Sequence, residues 1–142
     1  MKLAKEILGS KGNEIWSVDP DSTVLDALKL MAEKDIGAVL VMHDEKLVGI
    51  VSERDYARKI VLEGKTSRDS QVKDVMTRRV LCAPPDRTVD ECFALMTEKR
   101  ARHIPIVEKK HVIGLVSIGD LVKEVIAEQQ FEIERLQQYL DG

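Results

Sequence analysis

The sequence predicts an α/β (α+β) fold of two βαββα repeats, packed sheet to sheet with pseudo-twofold symmetry and followed by an extended C-terminal helix. The first observation is a repeat, because residues 15–61 align without a gap on residues 80–126 at a constant offset of 65 residues. The second is that each repeat carries continuous apolar runs of strand length, which are typical of sheets covered on both faces. Modules of about 60 residues bury too little surface to be stable alone, so the two copies are expected to pack together.

The first repeat is predicted to form strand, helix, strand, strand and helix in that order. Ile15–Val18 is a short leading strand, and Thr23 begins a helix with apolar residues at helical spacing and a capping-box pattern, Thr23-x-x-Asp26. The apolar runs Ala38–Met42 and Leu47–Val51 flank a short polar turn, which predicts a β-hairpin. Arg54 begins the second helix.

The second repeat follows the same order after a polar linker, Gly64–Ser70. Its hairpin strands are Ile104–Val107 and Val112–Val116, and Thr88-x-x-Glu91 repeats the capping-box pattern. A short helical approach precedes each leading strand. We therefore divide the chain into a first repeat with its approach (1–66), a second repeat (67–127) and a C-terminal helical extension (128–142).

The last helix is predicted to run from Leu121 to Leu140, since neither Gly nor Pro interrupts it before Gly142. Its apolar residues are expected on a common face: Leu121, Val125, Ile133, Leu136 and Leu140. A lone helix with this pattern, continued by Ile126 and Phe131, exposes an apolar patch that monomers rarely tolerate. We therefore expect a homodimer with helices of both repeats and this helix in its interface, the alternatives being a tail that folds back or is partly disordered.

Composition and charge limit the possible functions. The chain is 44% hydrophobic and 33% charged, as in soluble globular proteins, and its net charge is −3. Basic and acidic residues are interspersed, which argues against a nucleic-acid partner. No apolar run has the length of a membrane span, and the N-terminus has no signal-peptide pattern. The chain has only two cysteines, Cys82 and Cys92, which together with the lack of a signal pattern predicts a cytoplasmic location. No membrane partner is expected.

The most specific local pattern is Ser-x-x-Asp between a strand and a helix, which occurs at Ser52–Asp55 and at Ser117–Asp120. A helix start presents unpaired N–H groups, and a carboxylate there can accept two hydrogen bonds from a vicinal diol such as that of ribose. The alternative is a capping box without any ligand role. Both motifs follow Gly-x-Val in the same register, which favours a ligand site.

At these residues the sequence resembles a known family. The paired repeat, the two Gly-x-Val-Ser-x-x-Asp endings and the segment Arg102–Val107 resemble a tandem pair of cystathionine-β-synthase (CBS) domains, a Bateman module. The resemblance covers about Ala4 to Ala127, and Ser52–Tyr56 resembles small stand-alone bacterial CBS-pair proteins. It implies an adenine-nucleotide ligand, AMP or NAD foremost and otherwise ADP, ATP or S-adenosylmethionine, with no metal required.

The resemblance also implies roles for individual residues. Asp55 and Asp120 would hold ribose hydroxyls, with Ser52 and Ser117 beside them. The remaining positions would line the clefts between the two repeats or contact the adenine base: Val18, Gly37, Ala38, Met76, Thr77, Ala83, Arg102, His103, Ile104, Pro105 and Gly119.

The two copies differ within the expected site. Gly37-Ala38 in the first repeat corresponds to Arg102-His103 in the second, and Arg54 corresponds to Gly119. We therefore expect two unequal sites in which Arg54, Arg102 and His103 face phosphates, because the guanidinium group is permanently charged and bidentate. The alternatives are a solvated first-turn residue for Arg54 and an ordinary satisfied histidine for His103.

No catalytic pattern is visible in the sequence. It contains no Gly-rich phosphate loop, no metal-spaced His pair and no Gly-x-Ser-x-Gly. We therefore expect a non-enzymatic nucleotide sensor that acts on another, unknown effector protein. The alternatives are a structural or regulatory dimerisation subunit with vestigial ligand sites and a nucleotide-processing enzyme.

Overall fold

The computed structural model describes residues 2–12 and 14–141 of the chain. The helices of this part are α1 (Ala4–Lys11), α2 (Val24–Lys34), α3 (Glu53–Tyr56, continued by a π-helical segment at Ala57–Val61), α4 (Val72–Val75), α5 (Val89–Lys99) and α6 (Ile118–Asp141). Its strands are β1 (Ser17–Val18), β2 (Ala38–His43), β3 (Lys46–Ser52), β4 (His103–Glu108) and β5 (His111–Ser117). The predicted mixed fold with two small sheets and a long C-terminal helix is confirmed.

The chain forms two compact units, Glu14–Val80 and Met1–Asn13 together with Leu81–Gly142. One unit is a continuous segment and the other combines the two ends of the chain, whereas the division into 1–66, 67–127 and 128–142 stays a prediction about the repeats. The N-terminal helix α1 belongs to the unit of the second repeat, where Ala4, Ile7 and Leu8 are part of its core. Helix α4 belongs instead to the unit of the first repeat, where Val72 and Val75 are buried.

The unit Glu14–Val80 is built on a sheet of order β1-β2-β3. Strand β1 is parallel to β2, and β2 pairs with β3 as the predicted antiparallel hairpin, with Ala38 opposite Ser52. The core joins the inward face of α2 to the sheet and to α4, through Val24, Ala27, Met31, Val39, Val41, Val51 and Val72 among others. Strand β1 is shorter than the predicted Ile15–Val18, since only Ser17 and Val18 align with β2.

The other unit contains the two-stranded hairpin β4-β5. The leading strand expected to end at Ala83 is reduced to one parallel bridge between Ala83 and Ile106. In the first repeat the Leu40 amide donates to the Trp16 carbonyl over 3.1 Å. The residue equivalent to Leu40 is Pro105, which has no N–H to donate, so the same bond cannot form and the strand is shortened.

Both predicted helix caps are present. The Asp26 amide donates to Thr23 Oγ1 and the Glu91 amide donates to Thr88 Oγ1, each over 3.1 Å. At Thr88 the box is complete, because the Thr88 amide donates to Glu91 Oε1 over 3.2 Å. These caps fix the start of α2 and α5 after each leading segment.

Helix α6 is continuous, as predicted, but begins at Ile118 and not at Leu121. The apolar residues predicted to share one face of this helix differ in burial along its length. Leu121 is buried and Val125 packs against the core, whereas Ile133, Leu136 and Leu140 are exposed. The helix leaves the surface of its unit after Val125, so the later apolar residues meet no core of their own unit. Within the described residues, no helix combines the length and the apolar character of a membrane-spanning segment.

Candidate functional site

Each Ser-x-x-Asp motif lies where the second hairpin strand ends and a helix begins. Strand pairing places Ala38 opposite Ser52 and His103 opposite Ser117. The first helical amide of each motif also bonds back to the neighbouring strand segment, from Glu53 to the Gly37 carbonyl over 3.1 Å and from Ile118 to the Arg102 carbonyl over 2.9 Å. The structure therefore brings each motif together with the residues expected to line its site.

Both motifs form capping boxes. The Asp55 amide donates to Ser52 Oγ over 3.2 Å, and the Ser52 amide donates to Asp55 Oδ2 over 2.9 Å. The corresponding distances at Ser117 and Asp120 are 3.1 and 2.8 Å. The capping alternative thus describes the local geometry correctly. It does not exclude a ligand, because a carboxylate has about four acceptor positions and the backbone amide occupies one of them.

A lysine bridges each of these carboxylates to a backbone carbonyl, an arrangement we call the lysine bridge. Lys59 Nζ lies 3.1 Å from Asp55 Oδ1 and donates to the Val75 carbonyl over 2.8 Å. Lys11 Nζ lies 2.6 Å from Asp120 Oδ2 and donates to the Leu115 carbonyl over 2.9 Å. Sequence reasoning missed both lysines. The i,i+4 spacing of Asp55 and Lys59 offered a signal, whereas no local pattern connects Lys11 with Asp120.

The lysine bridge and the capping bonds determine the charge states in the second repeat. Burial raises the pKa of Asp120, but the hydrogen bonds and charge of Lys11 and the hydrogen bonds from Ser117 outweigh it, so the pKa is lowered. Burial and then the positive charge of Lys11 lower the pKa of His103, while Asp120 opposes them. At neutral pH the site therefore presents an ionised carboxylate beside a neutral imidazole.

The other predicted site residues fall into three groups by their exposure. The side chains of four are buried in the cores of their units, at Ala38, Ala83, Ile104 and Pro105, so only their backbone or one edge is available to a ligand. By contrast, Arg54, Thr77, Arg102 and Gly119 are exposed, and Val18 and Gly37 are half-buried.

Met76 and Thr77 belong to the unit of the first repeat. Met76 is buried, and an added Cβ on Gly49 would lie 2.5 Å from its sulfur. The Thr77 amide donates to the Ile50 carbonyl over 2.9 Å, and the Ile50 amide donates to the Thr77 carbonyl over 3.1 Å. Thr77 therefore pairs with the edge of β3 and Met76 packs against it, close to the Ser52 motif at the end of this strand.

The described residues show no other reactive cluster. In residues 2–12 and 14–141, no group of three His, Cys, Asp or Glu side chains is arranged to hold a metal ion. Cys82 is exposed and Cys92 is buried, and burial raises the pKa of both thiols. A raised thiol pKa disfavours the thiolate that acts as a nucleophile.

Comparison with known proteins identifies the family. The family model of the CBS domain matches residues 5–62 and 72–127. The chain belongs to the CBS-domain family and carries two CBS domains in tandem. The matched segments contain both strand-to-helix junctions described above, so Ser52–Asp55 and Ser117–Asp120 occupy corresponding positions in the two domains.

Similar proteins include other CBS-pair chains. The CBS domain-containing protein CBSX3, mitochondrial, of Arabidopsis thaliana is 38% identical over 147 residues, covering 96% of this chain and 71% of that protein. A putative signal-transduction protein with CBS domains from Burkholderia ambifaria MC40-6 is 49% identical with a TM-score of 0.88, covering 90% of this chain and 96% of that chain. The CBS domain pair of protein MJ0100, solved in complex with 5′-methylthioadenosine and S-adenosyl-L-methionine, has a TM-score of 0.79 at 23% identity, covering 90% of this chain and 98% of that chain.

Proposed function

We propose that this CBS pair is a non-enzymatic regulatory module that binds an adenine nucleotide, AMP or NAD foremost, and reports it to an effector protein. The observation that carries the proposal is the pair of aspartates, Asp55 and Asp120, each held at a strand-to-helix junction by a capping bond and a lysine bridge. The adenosine-containing ligands of the MJ0100 domain pair support the ligand class, which also includes ADP, ATP and S-adenosylmethionine.

Each group near the second motif suits one part of a nucleotide. The ionised carboxylate of Asp120 accepts hydrogen bonds from the two ribose hydroxyls, with the Ser117 hydroxyl beside it. The neutral imidazole of His103 offers one donor and one acceptor. Arg102 is exposed, and the Lys11 ammonium group has three N–H donors for its two partners, Asp120 and the Leu115 carbonyl, so both cations can donate to phosphate oxygens. In the first repeat, the cations near Asp55 are Arg54, its neighbour in the sequence, and Lys59, its ion-pair partner.

Isothermal titration calorimetry against AMP, NAD, ATP and S-adenosylmethionine tests the ligand class. Asp120→Asn keeps a capping side chain and removes the charge, so nucleotide affinity at this site should fall roughly tenfold or more, since a hydrogen bond to a charged group is worth about 1.5–3 kcal/mol. Asp90→Asn, an exposed aspartate in the first turn of α5, is the matched control and should bind like the parent. Unchanged affinity in Asp120→Asn and in Asp55→Asn would reject the assigned sites.

Product analysis of the same samples separates the sensor from a nucleotide-processing enzyme. A sensor leaves every nucleotide of the panel intact during prolonged incubation. Appearance of a cleaved or transferred product at a rate that depends on Asp120 would reject the non-enzymatic proposal.

The second candidate function is a structural or regulatory dimerisation subunit with vestigial ligand sites. Its support is the exposed apolar surface of α6, which includes Ile126, Phe131 and Ile133. We propose a homodimer in either case, because a closed twofold dimer buries such a surface symmetrically. Light scattering that shows a dimer, together with calorimetry that shows no nucleotide binding, would favour this candidate over the sensor.

A further inference from the structure

The distal part of α6 has no partner within its own chain. Every described residue from Ile126 to Asp141 is exposed. Six large apolar side chains in this segment are at least half exposed: Ile126 at 50%, Phe131 at 65%, Ile133 at 55%, Leu136 at 59%, Tyr139 at 84% and Leu140 at 80%. A helix of this length is marginal in water by itself and obtains its stability from packing of an apolar face. The segment therefore requires a surface that the chain does not supply.

Four of the six exposed apolar side chains follow a heptad pattern together with Val122 and Gln129, whereas Phe131 and Tyr139 lie outside it. Val122, Ile126, Gln129, Ile133, Leu136 and Leu140 alternate in spacings of four and three residues. This is the spacing of the a and d positions of a coiled coil, with Ile126, Ile133 and Leu140 at a and Val122, Gln129 and Leu136 at d. β-Branched residues at a with Leu at d favour two parallel strands, and Ile126 and Ile133 at a with Leu136 at d meet this rule.

We propose that the α6 helices of two copies of this chain form a parallel, in-register, two-stranded coiled coil with Gln129 at its centre. The proposal rests on the homodimer proposed above and adds its geometry. In register, Gln129 faces its counterpart in the second copy, and the two amides hydrogen-bond to each other. We call the a and d residues Val122, Ile126, Gln129, Ile133, Leu136 and Leu140 the seam. In the antiparallel arrangement that aligns the same seam, Gln129 would face Ile133 and lose its hydrogen bond to the second Gln129. That loss is costly for a polar group removed from water.

Charge at the flanks of the seam favours the same orientation. Glu132 lies at a g position, which in a parallel dimer faces the e position five residues later, occupied by Gln137. In the antiparallel arrangement, Glu132 would approach the Glu132 of the second copy, and like charges repel. The seam also leaves the intrachain packing intact, because Leu121 and Val125 contact the core of their unit from an adjacent face of the helix.

Disulfide trapping tests the register. In a Cys82→Ser background, Gln129→Cys places two thiols opposite each other at a d layer, within the Cα separation of about 4.4–6.8 Å that a disulfide needs. Gln138→Cys is the matched control, since it makes the same change at an outward-facing position of the same helix. Mild oxidation should convert nearly all of the Gln129→Cys protein to covalent dimer and leave the Gln138→Cys protein uncrosslinked. Equal cross-linking at the two positions, or none at 129, would overturn the proposal.

Charge substitution supplies a second, reversible test. Ile133→Asp puts a charge between the two helices and should convert the dimer to monomer in light scattering. Phe131→Asp, at an outward-facing position and also more than half exposed, should leave the dimer intact. A dimer that survives Ile133→Asp and lacks trapping at position 129 rejects the coiled coil while keeping the homodimer. A monomeric parent chain rejects both. Nucleotide binding is measured separately by calorimetry, so neither result depends on the ligand.

Discussion

Lys11 determines the electrostatics of the second motif, although it is remote in sequence. Its ammonium group contacts Asp120 and the Leu115 carbonyl, and its charge lowers the pKa of His103. Burial raises the pKa of Asp120, and the hydrogen bond and charge of Lys11 lower it together with the hydrogen bonds from Ser117, so removal of the lysine should raise this pKa. The same removal should raise the pKa of His103, since an unfavourable neighbouring cation is lost.

The substitution Lys11→Met keeps an unbranched side chain and removes the ammonium group, with its charge and its two hydrogen bonds. We expect the His103 imidazole signals in an NMR pH titration to shift their midpoint to higher pH than in the parent. Lys5→Met, an exposed lysine of the same helix, is the control and should leave the midpoint unchanged. A His103 midpoint that is equal in all three proteins would show that Lys11 does not act on this site.

The residues of the two motifs were predictable, and the spacing of Lys59 from Asp55 offered a signal, but Lys11 was not predictable. Ser-x-x-Asp is a local pattern whose capping geometry follows from the start of a helix. Lys11 lies 109 residues from Asp120, and the contact depends on α1 packing with the second repeat. The apolar residues of α1 predict a buried face, but they do not specify the repeat that covers it.

At the scale of secondary structure, the Gly-x-Val sequence before each motif has a packing explanation. A Cβ added to Gly114 would lie 2.5 and 2.8 Å from the two terminal carbons of Leu8, and one added to Gly49 would lie 2.5 Å from the sulfur of Met76. These glycines let the helical approach segments lie directly against β5 and β3. The same pattern therefore supports the fold of each unit and the position of the motif that follows it.

Gly114→Ala is expected to lower the free energy of unfolding by about 1–3 kcal/mol, the usual cost of overpacking a core. Gly9→Ala is the matched control, because nothing lies within 4 Å of an added Cβ at this helical position. The control should stabilise the chain by about 0.5–1 kcal/mol, since Ala is favoured over Gly inside a helix. Urea denaturation measures both changes, and a Gly114→Ala protein as stable as the parent would contradict the packing explanation.

The sequence predicts which helices and strands form better than it predicts how long the strands are. Both hairpins, both Thr caps and the uninterrupted last helix were predicted from apolar runs, capping patterns and the absence of helix breakers. The shortened second leading segment was not predicted, although its cause is visible in the sequence. Pro105 replaces the amide that Leu40 supplies in the first repeat, and the effect becomes apparent only when the pairing partner is known.

At the scale of the whole molecule, the two repeats carry the same motif with different charges beside it. The motif of the second repeat has Arg102, His103 and Lys11 in its unit, whereas the first has Gly37-Ala38 with Arg54 and Lys59. The repeat predicted two related motifs, and the substitutions between the copies predicted that they differ. Which ligand each one prefers depends on side-chain positions that a sequence pattern does not specify.

The difference between the motifs leads to a prediction about phosphate. Arg54 is exposed in the first turn of α3, where a cation is slightly unfavourable because of the helix dipole. An anionic ligand would offset that cost, so Arg54→Ala should weaken ADP more than AMP and AMP more than adenosine. Arg58→Ala, an exposed arginine four residues later, is the matched control and should affect the three ligands equally and weakly. Calorimetry with adenosine, AMP and ADP gives the comparison, and equal losses for all three in Arg54→Ala would show that Arg54 does not contact phosphate.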